Sequence, residues 1–203
     1  MPEKYPAPLI LASASPRRRQ LMSEAGYEFT VELPDVDESA FAAEQADPVE
    51  YAKKLALAKA KSVAVKHPDS FVIGADTIVD FRGRIIGKAA DAKQAEQIIR
   101  KLFSAPHKVI TGVAIVGLSD GTELLRSDST TVYPRKMTAG QIAEHVKGGS
   151  WRDKAGAYAI KETGDEFVER IEGSLTNVMG LPMELLESLL AGLKIQLKRK
   201  QKG

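Results

Sequence analysis

Three consecutive arginines, Arg17, Arg18 and Arg19, follow Ser13-Ala14-Ser15-Pro16, where a serine and then a proline mark the start of a helix. A helix N-terminus carries unpaired N–H groups and partial positive charge, so its first turn favours acidic residues and disfavours arginine. The cluster makes sense as an anion site, with hydroxyls, backbone N–H groups and guanidinium forks turned to a polyphosphate; the plain alternative is a solvated basic turn. Lys59 is a second anomaly. It shares a helical face with Ala52, Leu55, Ala56 and Val63, where a lysine either snorkels to the edge or reaches into a cleft to hold a phosphate. Asp76 follows the apolar run Phe71-Val72-Ile73-Gly74-Ala75, so its carboxylate stands at the end of a buried strand, a favourable position for a metal ligand. Asp37-Glu38 adds an acidic pair that is either a further ligand from a loop or plain surface, and Lys88, after Gly87, could face phosphate. No G-x-x-x-x-G-K-[ST] occurs, which excludes a P-loop.

Alternating strands and helices must position these groups. Leu9 to Ala14 reads as a short buried strand, and the helix opened by Ser15-Pro16 closes at Gly26. Asp47-Pro48 starts a second helix to about Lys66; Phe71 to Ala75 is a strand ending on Asp76-Thr77; residues 78 to 86 form a hairpin turning near Arg82-Gly83. Asp91 caps a helix with Ala95, Ile98, Ile99 and Leu102 on one side. Val109 to Leu118 and Glu123 to Val132 form an antiparallel pair through Ser119-Asp120-Gly121-Thr122. Thr138 with Gln141 boxes a helix to about Lys147, stopped by Gly148-Gly149. Short strands at Ala157 to Ile160 and Glu166 to Ile171 precede a last helix from Pro182 to about Ala191. The mixture predicts an α/β fold with a mixed, twisted central sheet flanked by helices.

A chain of 203 residues suits one domain over 1–203, with a solvated basic tail from about 194. Its 43% apolar and 28% charged residues match an ordinary globular protein. No apolar run approaches the roughly 18 residues of a membrane span, and no basic-then-apolar leader opens the chain, so the expectation is a cytoplasmic protein with no membrane partner. A net charge of +2 does not point to nucleic acid. Without cysteine there is no disulfide, thiolate nucleophile or Cys-zinc site, and His67, His107 and His145 are scattered. Any metal therefore takes oxygen ligands or histidine.

In order along nearly the whole chain, LILASASPRRRQLMSEAG, DVDES, EYAKKLALAKA, FVIGADTIV, IIGKAADAKQA, HKVITGVAIV, DKAGAYAIKETGDEFVERIEGS and NVMGLPMELL resemble the Maf family of nucleotide pyrophosphatases, which shares its general fold with inosine triphosphate pyrophosphatases. The resemblance implies a two-lobed α/β protein with an intervening cleft, often a homodimer. It implies hydrolysis of a nucleoside triphosphate at the α–β phosphoanhydride to monophosphate and pyrophosphate, with Mg2+ or Mn2+. Carried over by motif, Ser13, Arg17 and Arg18 contact phosphate, Glu38 and Asp76 are essential acidic residues that hold the metal, and Lys59 and Lys88 are essential basic residues that neutralise the triphosphate. Asp76 is the preferred general base, and Thr77 beside it joins the substrate contacts. The context Asp153 to Tyr158 resembles the uridine and thymidine triphosphate branch, although Lys161 stands where that branch typically has glutamine and Ala89 where proline is usual. Lys161 then faces either base or phosphate. Two other readings stay open: a 7-methyl-GTP pyrophosphatase, and a nucleotide-binding regulator of cell division with little turnover.

Overall fold

The computed structural model describes residues 8–41, 47–152, 154–158 and 167–193. Along them run β1 (Leu9–Ala12), α1 (Pro16–Glu24), β2 (Thr30–Glu32), a 3-10 turn (Glu38–Ala40), α2 (Pro48–Ala64), β3 (Phe71–Phe81), β4 (Arg84–Ile86), α3 (Ala92–Leu102), β5 (His107–Gly117), β6 (Thr122–Pro134), α4 (Ala139–Lys147), β7 (Val168–Glu172), α5 (Leu175–Met179) and α6 (Met183–Gly192). The strands make one sheet in the order β2-β1-β3-β5-β6-β7, with β4 also on β3. β1 runs parallel to β2 and β3, and the other pairings are antiparallel, which is the mixed sheet the sequence predicts.

Local chemistry explains where the helices begin. Ser15, Asp47, Asp91 and Thr138 each accept a backbone N–H in the first turn, and Thr138 with Gln141 completes the capping box. Arg82 and Gly83 turn the β3–β4 hairpin with φ of 56° and 78°, the positive values that a two-residue turn requires.

Three expectations are corrected. β3 does not end on Asp76-Thr77 but runs unbroken into the first arm of the expected hairpin, as far as Phe81, held by pairing with β5 to Asp80↔Lys108. β1 ends at Ala12, two residues early. Ala157 and Tyr158 are not strand, since Ala157 takes the left-handed φ of 59°; the rest of that expected strand and the tail from 194 lie outside the described residues.

The alternation of β3 sorts two faces. Val72 joins Ile10, Ala12, Ala114 and Val116 beneath α2. Phe71, Ile73 and Ala75 join Leu9, Leu11, Val113 and Ile115 against Leu21 and Met22 of α1 and Leu186 and Leu190 of α6. Farther along that second face, Val79, Phe81, Val109 and Val132 pack with Ile99 and Leu102 of α3 and Ile142 of α4. Thr77 and Thr111 fall between those two cores in their strands. Their hydroxyls lie 2.9 Å apart, and Thr111 donates to the Asn177 carbonyl at 3.1 Å. Asn177 is fully buried and donates from Nδ2 to Val109 O and Thr130 Oγ1, each at 2.9 Å. A polar belt thus separates two hydrophobic cores on one sheet, joined by the hydrogen bonds of Thr77, Thr111 and Asn177 Nδ2, while Asn177 Oδ1 is buried without a partner among the described residues.

On the other face α2 lies close to the sheet because small residues meet there. A Cβ on Gly74 would stand 2.2 Å from Ala56 O, and one on Gly112 would stand 2.4 Å from Ala52 O. Ala52, Ala56 and Ala60 complete the contact from the helix side. This close approach is what lets a side chain of α2 reach the middle of β3.

Candidate active site

One edge of β3 carries two short neighbours with a gap between them. β1 pairs with residues 71–74 and β4 with residues 79–81, while β5 covers the other edge from Val72 to Asp80. Residues 75–78 therefore face an opening where β1 ends and the chain turns into α1. Ligands of α/β sheets gather at such strand ends. Asp76 reaches the expected location, but the strand end that makes it is that of β1.

Lys59 comes from the buried stripe of α2 and lies with its Nζ 2.6 Å from Asp76 Oδ1 and 2.6 Å from Glu38 Oε1. Of the two readings of this lysine, it turns inward, and its partners are carboxylates. The Lys59 and Asp76 side chains are both 11% exposed, whereas that of Glu38, in the 3-10 turn, is 48% exposed. Asp76 is thus the floor of the site and Glu38 its rim. Burial pushes the Asp76 carboxyl above the ordinary aspartate value against the pull of Lys59 and Arg18. For Glu38 burial also pulls upward, but the Lys59 hydrogen bond and charge, with Lys88 and Arg18, outweigh it and hold the carboxyl below its ordinary value. The two acids are therefore inequivalent: their surroundings favour the charged form at Glu38 and disfavour it at Asp76. Tyr51, two turns before Lys59 on α2, was missed by the sequence reading. Burial, then the charges of Asp76 and Glu38, raise its phenol, which places it in the field of the acids.

Arg18 spends its fork on the protein. Nε donates to Gly180 O at 2.7 Å, Nη1 to Ala75 O at 2.8 Å and Ser13 Oγ at 3.2 Å, and Nη2 to Thr77 Oγ1 at 3.0 Å. These bonds tie α1 to the open edge of β3 and to the loop after α5. Burial lowers its pKa, with Asp76 and Glu38 opposing. Ser13 Oγ also accepts from Ser15 N at 3.2 Å, and Ser15 Oγ caps α1 through Arg18 N at 3.4 Å. Both hydroxyls accept within the turn and keep their O–H donors, and Thr77 is engaged by Arg18 and Thr111. Arg17 is different. It is half-buried, its pKa is lowered by desolvation, and no hydrogen bond or ion pair holds it among the described residues.

Lys88 is exposed and lies on a loop clasped to the Asp153–Tyr158 motif: its backbone bridges to Ala155, and Gly156 N donates to Gly87 O at 3.2 Å. Its charge acts on Glu38. Tyr158, buried at the end of that motif, has its hydroxyl 2.5 Å from His107 Nε2 at the start of β5, and burial depresses the imidazole pKa. His107 looked like a scattered histidine in the sequence; its place at the head of a strand opposite a motif tyrosine was the overlooked signal. Asp153 and Lys161 lie outside the described residues.

The donor set suits a hard cation. Magnesium and manganese bind through one or two carboxylates together with water and substrate phosphate oxygens, and Glu38 and Asp76 are two carboxylates within reach of one cation, now an ammonium. Among the described residues no group of three His, Asp or Glu could hold a metal ion unaided. Phosphate and water would complete such a shell.

The model of the Maf-like protein family matches residues 8–193. The chain is 41% identical over 182 residues to the dTTP/UTP pyrophosphatase of Symbiobacterium thermophilum, covering 90% of this chain and 92% of that one. It is 41% identical over 189 residues to the protein of the same description from Myxococcus xanthus, covering 92% and 94%. The corresponding protein of Geotalea uraniireducens is 43% identical over 182 residues, covering 89% and 93%. Among solved structures, a HAM1 protein from Coxiella burnetii superposes with a TM-score of 0.45 at 13% identity, covering 92% of this chain and 99% of that one. A family match across almost every described element, with relatives of this identity along about nine-tenths of the chain, settles its membership: it belongs to the Maf family.

Proposed function

We propose that this protein hydrolyses nucleoside triphosphates, UTP and dTTP foremost, to the monophosphate and pyrophosphate, with Mg2+ or Mn2+ held by Glu38 and Asp76. The observation that carries the reading is the acid pair gathered on Lys59 in the gap of the sheet, buried Asp76 and exposed Glu38, beside a helix N-terminus whose first turn is basic. The description shared by the relatives, dTTP/UTP pyrophosphatase, supports the choice of base.

Glu38 and Asp76 would hold the cation, which when bound would polarise phosphoryl oxygens and acidify water. Asp76, the buried floor of the site, takes a proton from the attacking water as oxygen bonds to the α-phosphorus. The α–β bridging bond breaks, and pyrophosphate leaves with the electron pair. Arg17, without a partner among the described residues, and Lys88, on the exposed loop, neutralise the triphosphate and its leaving group. Arg18 contributes chiefly by holding the wall of the site. Lys161 is assigned to the base, where its ammonium donates to the carbonyl oxygens of uracil or thymine.

Pyrophosphate release measured for UTP, dTTP, CTP, GTP and 7-methyl-GTP tests the proposal. The expected order places UTP and dTTP first; a strong preference for 7-methyl-GTP overturns the base assignment, and binding of all five without turnover overturns the enzyme.

A further inference from the structure

Lys59 is a long cationic side chain on the apolar stripe of a helix, and the fold goes to some length to aim it. Gly74 and Gly112 bring α2 down onto the sheet, and the ammonium ends 2.6 Å from one oxygen of each acid. An enclosed ammonium is tolerated only when paired, and two carboxylates this close to each other need a cation between them. The same cation position is the one that the proposed function gives to a divalent ion, and on that reading the following inference rests.

We propose that Lys59 is the resident counter-ion of the metal position: it holds Glu38 and Asp76 in place and yields them only to a divalent cation that arrives with a triphosphate. A free divalent ion must displace an ammonium from both carboxylates and leave it without a partner in a half-buried site. A metal–triphosphate complex brings negative phosphate oxygens, and the displaced ammonium moves onto them. Lys59 thereby couples metal binding to nucleotide binding, each raising the affinity of the other by the same factor. The flexible four-carbon stem of lysine suits such a transfer between two anionic partners. The arrangement also keeps the acid pair charge-compensated between turnovers.

The test is Mn2+ binding followed by the loss of the free-ion electron paramagnetic resonance signal, in the whole protein without nucleotide and then with α,β-methylene-UTP, the Mn2+ held by the analogue alone being subtracted from a protein-free titration. The wild type should bind Mn2+ weakly alone and at least about tenfold more tightly with the analogue. Lys59→Met and Lys59→Gln should bind Mn2+ alone at least about tenfold more tightly than the wild type, because a unit positive charge next to the ion has gone. Lys59→Arg keeps the charge and should stay weak. Circular dichroism confirms folding, and if one neutral variant fails to fold the other decides. Equal or weaker Mn2+ affinity in the neutral variants overturns the counter-ion role while leaving the metal reading intact. Failure of the wild type to take up Mn2+ even with the analogue overturns the metal reading itself.

Discussion

Replacing Arg18 with methionine keeps an unbranched stem but deletes every donor. Four hydrogen bonds go, to Gly180 O, Ala75 O, Ser13 Oγ and Thr77 Oγ1, and with them the strut joining α1, the open edge of β3 and the loop after α5. At roughly 1 kcal/mol net for each bond, the loss is about 4 kcal/mol. In a domain of this size each kcal/mol moves the melting temperature by about 2–4 °C, so Arg18→Met should melt about 8–16 °C below the wild type. Arg18→Lys retains charge but not the fork, and should recover only part of the loss. The assay is thermal unfolding in metal-free buffer without nucleotide, with Arg17→Met as the control. Arg17 bonds to nothing among the described residues and its replacement should leave melting within about 2 °C. Should Arg18→Met melt with the wild type, or Arg17→Met fall as far as Arg18→Met, the division of labour between the two arginines is wrong.

The same Arg17→Met protein should lose at least about tenfold in kcat/KM for UTP, roughly one charge-assisted contact to phosphate, and unimpaired turnover would remove Arg17 from the site. Gly112→Ala would put a Cβ 2.4 Å from Ala52 O and lift α2 off the sheet, costing about 1–3 kcal/mol in urea unfolding and parting Lys59 from Asp76; wild-type stability and activity would show that the contact yields cheaply. Burial depresses the pKa of His107, so its contribution to stability is present above the unfolded imidazole value of about 6.5 and is lost as the pH falls through the depressed one. Melting temperatures taken from about pH 7 down to pH 5 should therefore fall less steeply in His107→Gln than in the wild type, and parallel slopes would count against a neutral buried imidazole.

Helix starts were legible because a cap is a local event: Ser15, Asp47, Asp91 and Thr138 bond to N–H groups within three residues. The β5–β6 hairpin was equally local, turning at Gly121 with φ of 71°. β2 and α5 were not legible, since three and five residues are too few to display a period. The continuation of β3 past Asp76 was hidden by the polar pair Asp76-Thr77, whose places in the sheet are set by Gly112 and Thr111 of a distant strand. At the site, motifs located the acids and Lys59, and the apolar stripe flagged the lysine as anomalous. Its choice of partners was out of reach, because Asp76 is 17 residues away and Glu38 comes from a separate loop. The partners of Arg18 were out of reach for the same reason: a cluster of three arginines announces positive charge, but only the tertiary fold decides which guanidinium faces Gly180 and Ala75 and which has no partner among the described residues.

The most direct test of the central claim is hydrolysis of UTP or dTTP in oxygen-18 water with Mg2+, followed by mass analysis of the products from the wild type and Asp76→Asn. Attack at the α-phosphorus, with Asp76 as base in the gap of the sheet, predicts monophosphate carrying the label, unlabelled pyrophosphate, and loss of nearly all turnover in Asp76→Asn. Label in pyrophosphate, diphosphate with orthophosphate as first products, or near-wild-type turnover by Asp76→Asn would contradict it.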